Sequence, residues 1–219
     1  MQFTEIDMAA WPRAQVFYYF SQMAPTSYSL TADIDVTSLR AALKAKHLKF
    51  FPTYLWLVTK CLNRQPEFKL AYQDGKLGYY DSLTPLYASF HEDDKTFSLM
   101  WTEFQPDYRS FCDQYLKNQA LYSENHGILA QPQTPPPANA YTVSGLPWIS
   151  FRHFAVHTHD NKPYFFPSVE CGKIYEKDGR SLLPLSMTCH HAATDGYHLK
   201  VFLEDLEKEM ALLIENELS

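Results

Sequence analysis

Two adjacent histidines, His190 and His191, close a strand-like run that begins near Leu185, and Asp195 follows the second of them by four residues, with Gly196 behind it. A histidine at a strand end can project into a pocket, and glycine permits the sharp backbone turn needed just after it. Neutral imidazole is an effective general base near pH 7 because its pKa lies close to the operating pH. A core histidine satisfied by a local hydrogen bond is the competing reading, and for an isolated His-Asp pair it is the simpler one. Three further histidines, His153, His157 and His159, sit close together beside Asp160. Imidazoles two apart on a strand share a face, but no Cys or Glu stands at ligand spacing, so a polar strand end is favoured and no metal is expected.

Cysteine and glycine chemistry is sparse. Cys61, Cys112, Cys171 and Cys189 lie far apart without a C-x-x-C pair, which argues against a zinc ribbon or a dithiol redox motif and for reduced, mostly buried thiols. Only seven glycines occur, and the close pair Gly75 and Gly78 fits neither a dinucleotide fingerprint nor a phosphate loop.

The elements that must position these groups follow from periodicity. Tyr28, Leu30, Ala32, Ile34 and Val36 alternate with polar residues, as a half-buried strand does. Asp35 and Thr37 are candidate caps for a short helix carrying Leu39, Ala42 and Leu43. A buried helix opens at Pro52 and runs to about Asn63. Phe68, Leu70 and Tyr72 lead into Asp74-Gly75, a pair that favours a two-residue hairpin turn, and Leu77 and Tyr79 lead away from it. Strand-like runs follow at 85–91 and 96–102, separated by the acidic turn Glu92 to Lys95, and a helix starts at Pro106. The stretch 123–140 has four prolines and no periodicity, as a surface loop does. Strands are expected at 141–143, 151–157, 165–174 and 182–190, and a final helix places Leu199, Phe202, Leu206, Met210 and Leu213 on one face.

With 219 residues, 46% hydrophobic and 20% charged, the composition is that of a globular protein. From the order of the elements we read residues 1–219 as one α+β domain, a two-layer sandwich with a large, mostly antiparallel or mixed sheet. The formal net charge of −6 disfavours a nucleic-acid partner, and no apolar run is long enough to cross a membrane. Nothing at the start of the chain looks like a secretory leader, so a cytoplasmic location is expected.

The segment around His190, His191, Asp195 and Gly196 resembles the chloramphenicol acetyltransferase family. The resemblance extends over almost the whole chain, through Trp11 and Arg13, Ser29 to Asp35, Lys49 to Pro52, Ser144 to Trp148, and Gly179 to Ser186, in order and at family-like spacing. It implies a CoA-dependent acyltransferase fold and an enzyme of antibiotic resistance, working as a homotrimer with sites at subunit interfaces. The activity implied is direct transfer of acetyl from acetyl-CoA to an alcohol, without a metal. In that scheme His191 is the general base and Ser144 hydrogen-bonds the oxyanion, while Asp195 pairs with Arg13 to hold the segment in place. Lys49, Phe51, Trp148 and, more weakly, Lys173 would hold acetyl-CoA, although Phe51 and Trp148 read equally well as core aromatics.

The acceptor pocket implied by the resemblance comprises Phe20, Ala24, Thr26, Tyr28 and Glu170. Each departs from the family's usual residue, and Glu170 stands where a threonine is usual. A carboxylate there opposes a developing oxyanion unless it is protonated or aimed elsewhere. Chloramphenicol itself, another hydroxylated small molecule, and a catalytically silent binding role on the same fold are therefore all to be weighed.

Overall fold

The computed structural model describes residues 1–132, 135–157 and 164–218. The elements in chain order are β1 (Phe3–Glu5), α1 (Ala14–Tyr18), β2 (Ser27–Asp35), α2 (Thr37–Ala45), α3 (Phe50–Asn63), β3 (Leu70–Gln73), β4 (Lys76–Tyr80), β5 (Thr84–Phe90), β6 (Phe97–Trp101), α4 (Tyr108–Tyr122), β7 (Ala140–Leu146), β8 (Ser168–Gly172), β9 (Tyr175–Lys177), β10 (Arg180–His190) and α5 (Gly196–Leu213). None of the described helices is long and apolar enough to cross a membrane.

A seven-stranded sheet runs β2-β10-β8-β7-β5-β6, with β9 paired to the start of β10. The pairs β5–β7 and β7–β8 are parallel and the rest antiparallel, so the sheet is mixed. A second, three-stranded sheet has the order β1-β4-β3. Helix α3 is the centre of the core: Leu55, Val58, Cys61 and Leu62 are fully buried, and the helix packs against both α4 and α5. Its two interior threonines are satisfied locally. Thr59 donates to the Leu55 carbonyl at 2.7 Å and accepts from the Tyr141 hydroxyl at 2.7 Å, so a polar residue there carries no unpaired group. From α5, Phe202 meets Phe68 edge to face at 6.1 Å.

The Asp74-Gly75 hairpin is formed as expected. Asp74 (φ 52°) and Gly75 (φ 77°) are both left-handed, the combination whose twist matches the flanking strands. Asp178 (φ 51°) and Gly179 (φ 76°) repeat that turn between β9 and β10. Asp35 accepts hydrogen bonds from the Thr37 amide and hydroxyl just ahead of α2. Helix α3 starts at Phe50, which leaves Pro52 inside the first turn rather than at its opening.

Two expected strands differ. Residues 151–157 are not a strand, because they meet the sheet at its face, where side chains and not another strand's N–H and C=O groups are presented to them. The segment instead crosses the polar side of the sheet, where the Phe154 carbonyl accepts from Ser186. The expected strand over 165–174 is confined to β8: Pro167 has no N–H to give a ladder, and Phe165 and Phe166 turn into the core.

Candidate active site

His191 follows the last residue of β10, and its environment comes from three places in the chain. Its backbone N–H donates to the Thr26 carbonyl at 2.8 Å. Its ring stacks on Phe20, with centroids 4.0 Å apart, and meets Tyr28 edge-on at 5.2 Å. Its Nδ1 lies 3.1 Å from the Thr194 carbonyl oxygen. A carbonyl can only accept, so Nδ1 carries the proton and Nε2 presents its lone pair, the form a general base requires. Tyr28 donates to the Thr194 hydroxyl at 3.2 Å, and Thr26 donates to the Ala24 carbonyl at 2.7 Å, so Phe20, Ala24, Thr26 and Tyr28 form one cluster with the imidazole.

Asp195 caps α5, accepting from the Tyr197 amide at 3.0 Å, and its other oxygen accepts from Arg13 Nη1 at 2.8 Å. Burial raises its pKa, but the Arg13 hydrogen bond and the nearby His198 outweigh that and hold it below the ordinary value. The pair is partly exposed, with side-chain exposures of 18% for Arg13 and 35% for Asp195. Arg13 Nε and Nη2 are buried without a partner among the described residues. His190 is different in kind: its Nδ1 accepts from the Ala192 amide at 3.1 Å, and its ring meets Phe165 edge-on at 5.0 Å. Burial, reinforced by the neighbouring His191, lowers its pKa and keeps it neutral.

Ser144 belongs to a second region. It lines an apolar cleft of about 870 Å³ together with Phe51, Trp148 and Lys173. Phe90, Phe97, Leu99 and Ile128 form another wall. Gly145 packs closely under Phe51: a Cβ there would lie 3.2 Å from the ring, a tight contact that the ring would have to shift to relieve. Trp148 is 58% exposed and meets Phe90 at 4.9 Å, so it is a rim residue and not a core aromatic. Lys49 is exposed at the N-terminus of α3, where its carbonyl accepts from Thr53, and it does not line the cleft.

Glu170 stands opposite Ser144 across β7 and β8 and opposite Ser186 across β8 and β10, in a row that continues to Thr31. It is fully buried. One carboxyl oxygen is hydrogen-bonded to Ser168 and the other, Oε2, has no partner among the described residues. Burial pushes its pKa up to about 7, with the Ser168 hydroxyl pulling the other way. It lines neither the cleft nor the His191 cluster.

Arg13, Phe20, Ala24, Thr26, Tyr28, His191 and Asp195 are therefore brought together, as are Phe51, Ser144, Trp148 and Lys173, but the two groups are separate. Ser144 lies two strands from Ser186, and His191 lies five residues beyond Ser186 along β10. At about 4.8 Å per strand and 3.3 Å per residue their Cα atoms are roughly 19 Å apart. Sequence reasoning missed Thr194, whose carbonyl sets the imidazole tautomer; its position inside the His191–Asp195 spacing was the available signal. It also missed the cleft wall from β5, β6 and Ile128, for which local sequence holds no signal. His157 makes a hydrogen bond to Ser27 at 3.1 Å, while His159 lies outside the described residues.

Residues 1–207 match the family model described as chloramphenicol acetyltransferase. A chloramphenicol acetyltransferase of Campylobacter coli is 38% identical over 208 residues, covering 94% of this chain and 98% of the relative. One from Clostridium perfringens is 37% identical over 209 residues, covering 95% and 94%. Among solved structures, a chloramphenicol acetyltransferase superposes with a TM-score of 0.82 at 22% identity, covering 95% of this chain and all of that one. The cubic core of the pyruvate dehydrogenase multienzyme complex shares the fold at a TM-score of 0.62 and 18% identity, covering 92% and 88%.

Proposed function

Because this chain belongs to the chloramphenicol acetyltransferase family, we propose that it is an acyltransferase that moves acetyl from acetyl-CoA directly to a hydroxyl of chloramphenicol or a related small molecule. The observation that carries this reading is the bond from His191 Nδ1 to the Thr194 carbonyl, which leaves Nε2 free to take a proton. His191 removes the acceptor's hydroxyl proton as the alcohol oxygen forms its bond to the thioester carbon. As the carbon–sulfur bond breaks, His191 returns that proton to the departing thiolate. Ser144 donates to the carbonyl oxygen as negative charge gathers on it. Asp195 and Arg13 act at one remove, by fixing the turn that aims the imidazole.

The cleft suits the acyl donor. Its apolar walls fit a pantetheine arm, Trp148 offers an exposed ring for a base to lie against, and Lys173 supplies a cation for a phosphate. Lys49, on the surface beside Phe50, would act only at the outer end of such a ligand. Four unpaired cysteines agree with a reducing, cytoplasmic setting.

Roughly 19 Å between Ser144 and His191 is too far for both to serve one carbonyl. A symmetric homotrimer in which each site takes His191 from one subunit and Ser144 from its neighbour resolves that distance. Mixing subunits tests it. His191→Ala and Ser144→Ala variants, each crippled alone, are dissociated, mixed in equal amounts and reassembled, and CoA thiol release with chloramphenicol is measured. Sharing predicts that about a quarter of the sites regain both groups and activity returns. No recovery in reassembled trimers defeats the shared site.

Which hydroxylated acceptor is used is tested by a panel of alcohols, chloramphenicol among them, in the same thiol-release measurement.

A further inference from the structure

His191 Nδ1 donates to the Thr194 carbonyl at 3.1 Å, and the other end of that same peptide group, the Asp195 N–H, donates to His198 Nδ1 at 3.1 Å. A trans peptide is planar and holds its C=O and N–H in opposite directions, so one rigid unit stands between two imidazoles. Fixing its N–H end fixes where its carbonyl points, and that carbonyl selects the tautomer of His191. An N–H that donates also makes its own carbonyl a better acceptor, because hydrogen bonds in a chain polarise one another.

His198 is placed for this task. It is the third residue of α5, where a capping box normally puts Glu or Gln to accept from the N-cap amide. The residue is only 7% exposed. Accepting at Nδ1 puts the ring proton on Nε2, which faces Glu67 Oε1 at 3.8 Å. Glu67 lies in the short helical turn Pro66–Lys69 after α3, and from the same segment Gln65 donates to the His198 carbonyl at 3.1 Å. The ring is therefore oriented from outside its own helix. A continuous series of polar groups runs from the Glu67 carboxylate through His198 and the 194–195 peptide to His191, and ends at the Nε2 lone pair.

We propose that His198 is a positioning residue for the acetyl transfer: by accepting from the Asp195 amide it locks the 194–195 peptide, and so holds the His191 imidazole in the tautomer and direction that a general base needs. The inference rests on the reading of His191 as that base. The same geometry makes the lock sensitive to pH. His198 Nδ1 is also 3.0 Å from Asp195 Oδ1, which already accepts from the Tyr197 amide. A proton on Nδ1 turns the ring from acceptor of the amide into donor to the carboxylate, and the lock opens. Burial opposes that proton, but Glu67 and Asp195 outweigh burial and raise the ring's pKa above 6.5, with Arg13 pulling the other way. The Tyr197 ring, edge-on at 6.0 Å, is the other titratable neighbour. The lock is closed above the raised value and opens as the pH falls through it.

Two full-length variants test it. His198→Leu keeps bulk without an acceptor, whereas His198→Gln keeps an acceptor at the capping-box position and takes up no proton. In His198→Leu, kcat for CoA thiol release with chloramphenicol should fall about 10–100-fold while KM for both substrates stays within about twofold. His198→Gln should recover most of kcat, and its activity relative to the parent should rise as the pH is lowered from about 8 to about 6. With the rings neutral, ¹⁵N NMR should show His191 as the Nδ1–H tautomer in the parent and in His198→Gln, and as a tautomer mixture in His198→Leu. That spectrum is read without substrate. An inactive parent with the tautomer lost in His198→Leu would remove the acyl-transfer reading and leave the positioning role supported. Parental kcat or an unchanged His191 tautomer in a folded His198→Leu overturns the inference. Should His198→Leu fail to fold, a pH-independent activity ratio between His198→Gln and the parent overturns it as well.

Discussion

Around His191 the imidazole, its amide and Asp195 are each held by a named partner close at hand: the Thr194 and Thr26 carbonyls for the imidazole and amide, and Arg13 Nη1 and the Tyr197 amide for Asp195. Along β7 and β8 the arrangement is looser. Ser144 faces an apolar cleft, and the buried acid beside it, Glu170, has one satisfied oxygen and no cation. A third region shows what a fully paired buried acid looks like in this protein. Glu209 on α5 is as buried as Glu170, but Lys60 reaches it at 2.7 Å and Arg64 is also bonded to it. Burial would raise its pKa, yet those two cations hold it below the ordinary value. The contrast teaches that Glu170 is not a structural ion pair, and that the two halves of the proposed site are stabilised by different physics.

The largest expected effect breaks the comparison by chemistry. His191→Ala should lower turnover by about 10³–10⁴, since proton transfer is removed at both stages. Ser144→Ala should cost about 10²–10³, the usual consequence of losing one oxyanion donor. Both should leave circular dichroism and melting temperature close to those of the parent protein. Near-parental turnover in His191→Ala with a good acceptor would show that the base is another group.

The two regions also differ in how far local sequence discloses them. The His191 corner is written within a dozen residues, so the strand end, the aspartate and the glycine are read together. Arg13 is 182 residues from Asp195, and only the resemblance to a family joins them. The cleft has no local signature, because Phe51, Phe90, Ser144 and Ile128 come from four distant parts of the chain, Phe90 and Ser144 joined through the β5–β7 pair and Ile128 through its bond to Leu99 on β6. The expected strand over 151–157 shows the same limit. Its composition suits a strand, yet a strand needs the ladder edge of a partner, and this segment lies against the face of the sheet.

A smaller effect sharpens the contrast between Glu170 and Glu209. Glu170 has its folded pKa raised from 4.5 to about 7. Between those values the folded protein binds more protons than the unfolded chain, so stability falls as pH rises through that window and stays reduced above it. The charged neighbours leave little to oppose this: Ser168 supplies only a hydroxyl, and Tyr54, Cys171 and Cys189 are the titratable groups that sense Glu170. Glu170→Gln should therefore be more stable than the parent at pH 8 by about 3 kcal/mol, converting the shift at 1.36 kcal/mol per unit. At pH 4 the difference should vanish. Urea unfolding at both pH values checks this, and an equal gain at each would mean that packing and not charge is responsible.

The smallest effect concerns the tie that holds the His191 corner. Arg13 and Asp195 are partly exposed, which places their pair between the near-zero value of surface ion pairs and the 3–5 kcal/mol lost on breaking buried ones. Each of Arg13→Ala and Asp195→Ala should cost roughly 2 kcal/mol. Asp195→Ala adds the loss of the α5 cap, whereas Arg13→Ala removes a side chain whose Nε and Nη2 were already without partners. The double variant should cost about 1 kcal/mol less than the sum, because the pair can be lost only once. Asp195 has its folded pKa lowered from 3.8, so its contribution is present above that unfolded value and is lost as pH falls through the folded one. The coupling measured at pH 7 should accordingly shrink as the pH is taken below 3.8 and through the lowered folded value. Additive single effects at pH 7 would mean that the 2.8 Å contact contributes nothing and that His191 is aimed by its Thr194 and Thr26 bonds alone.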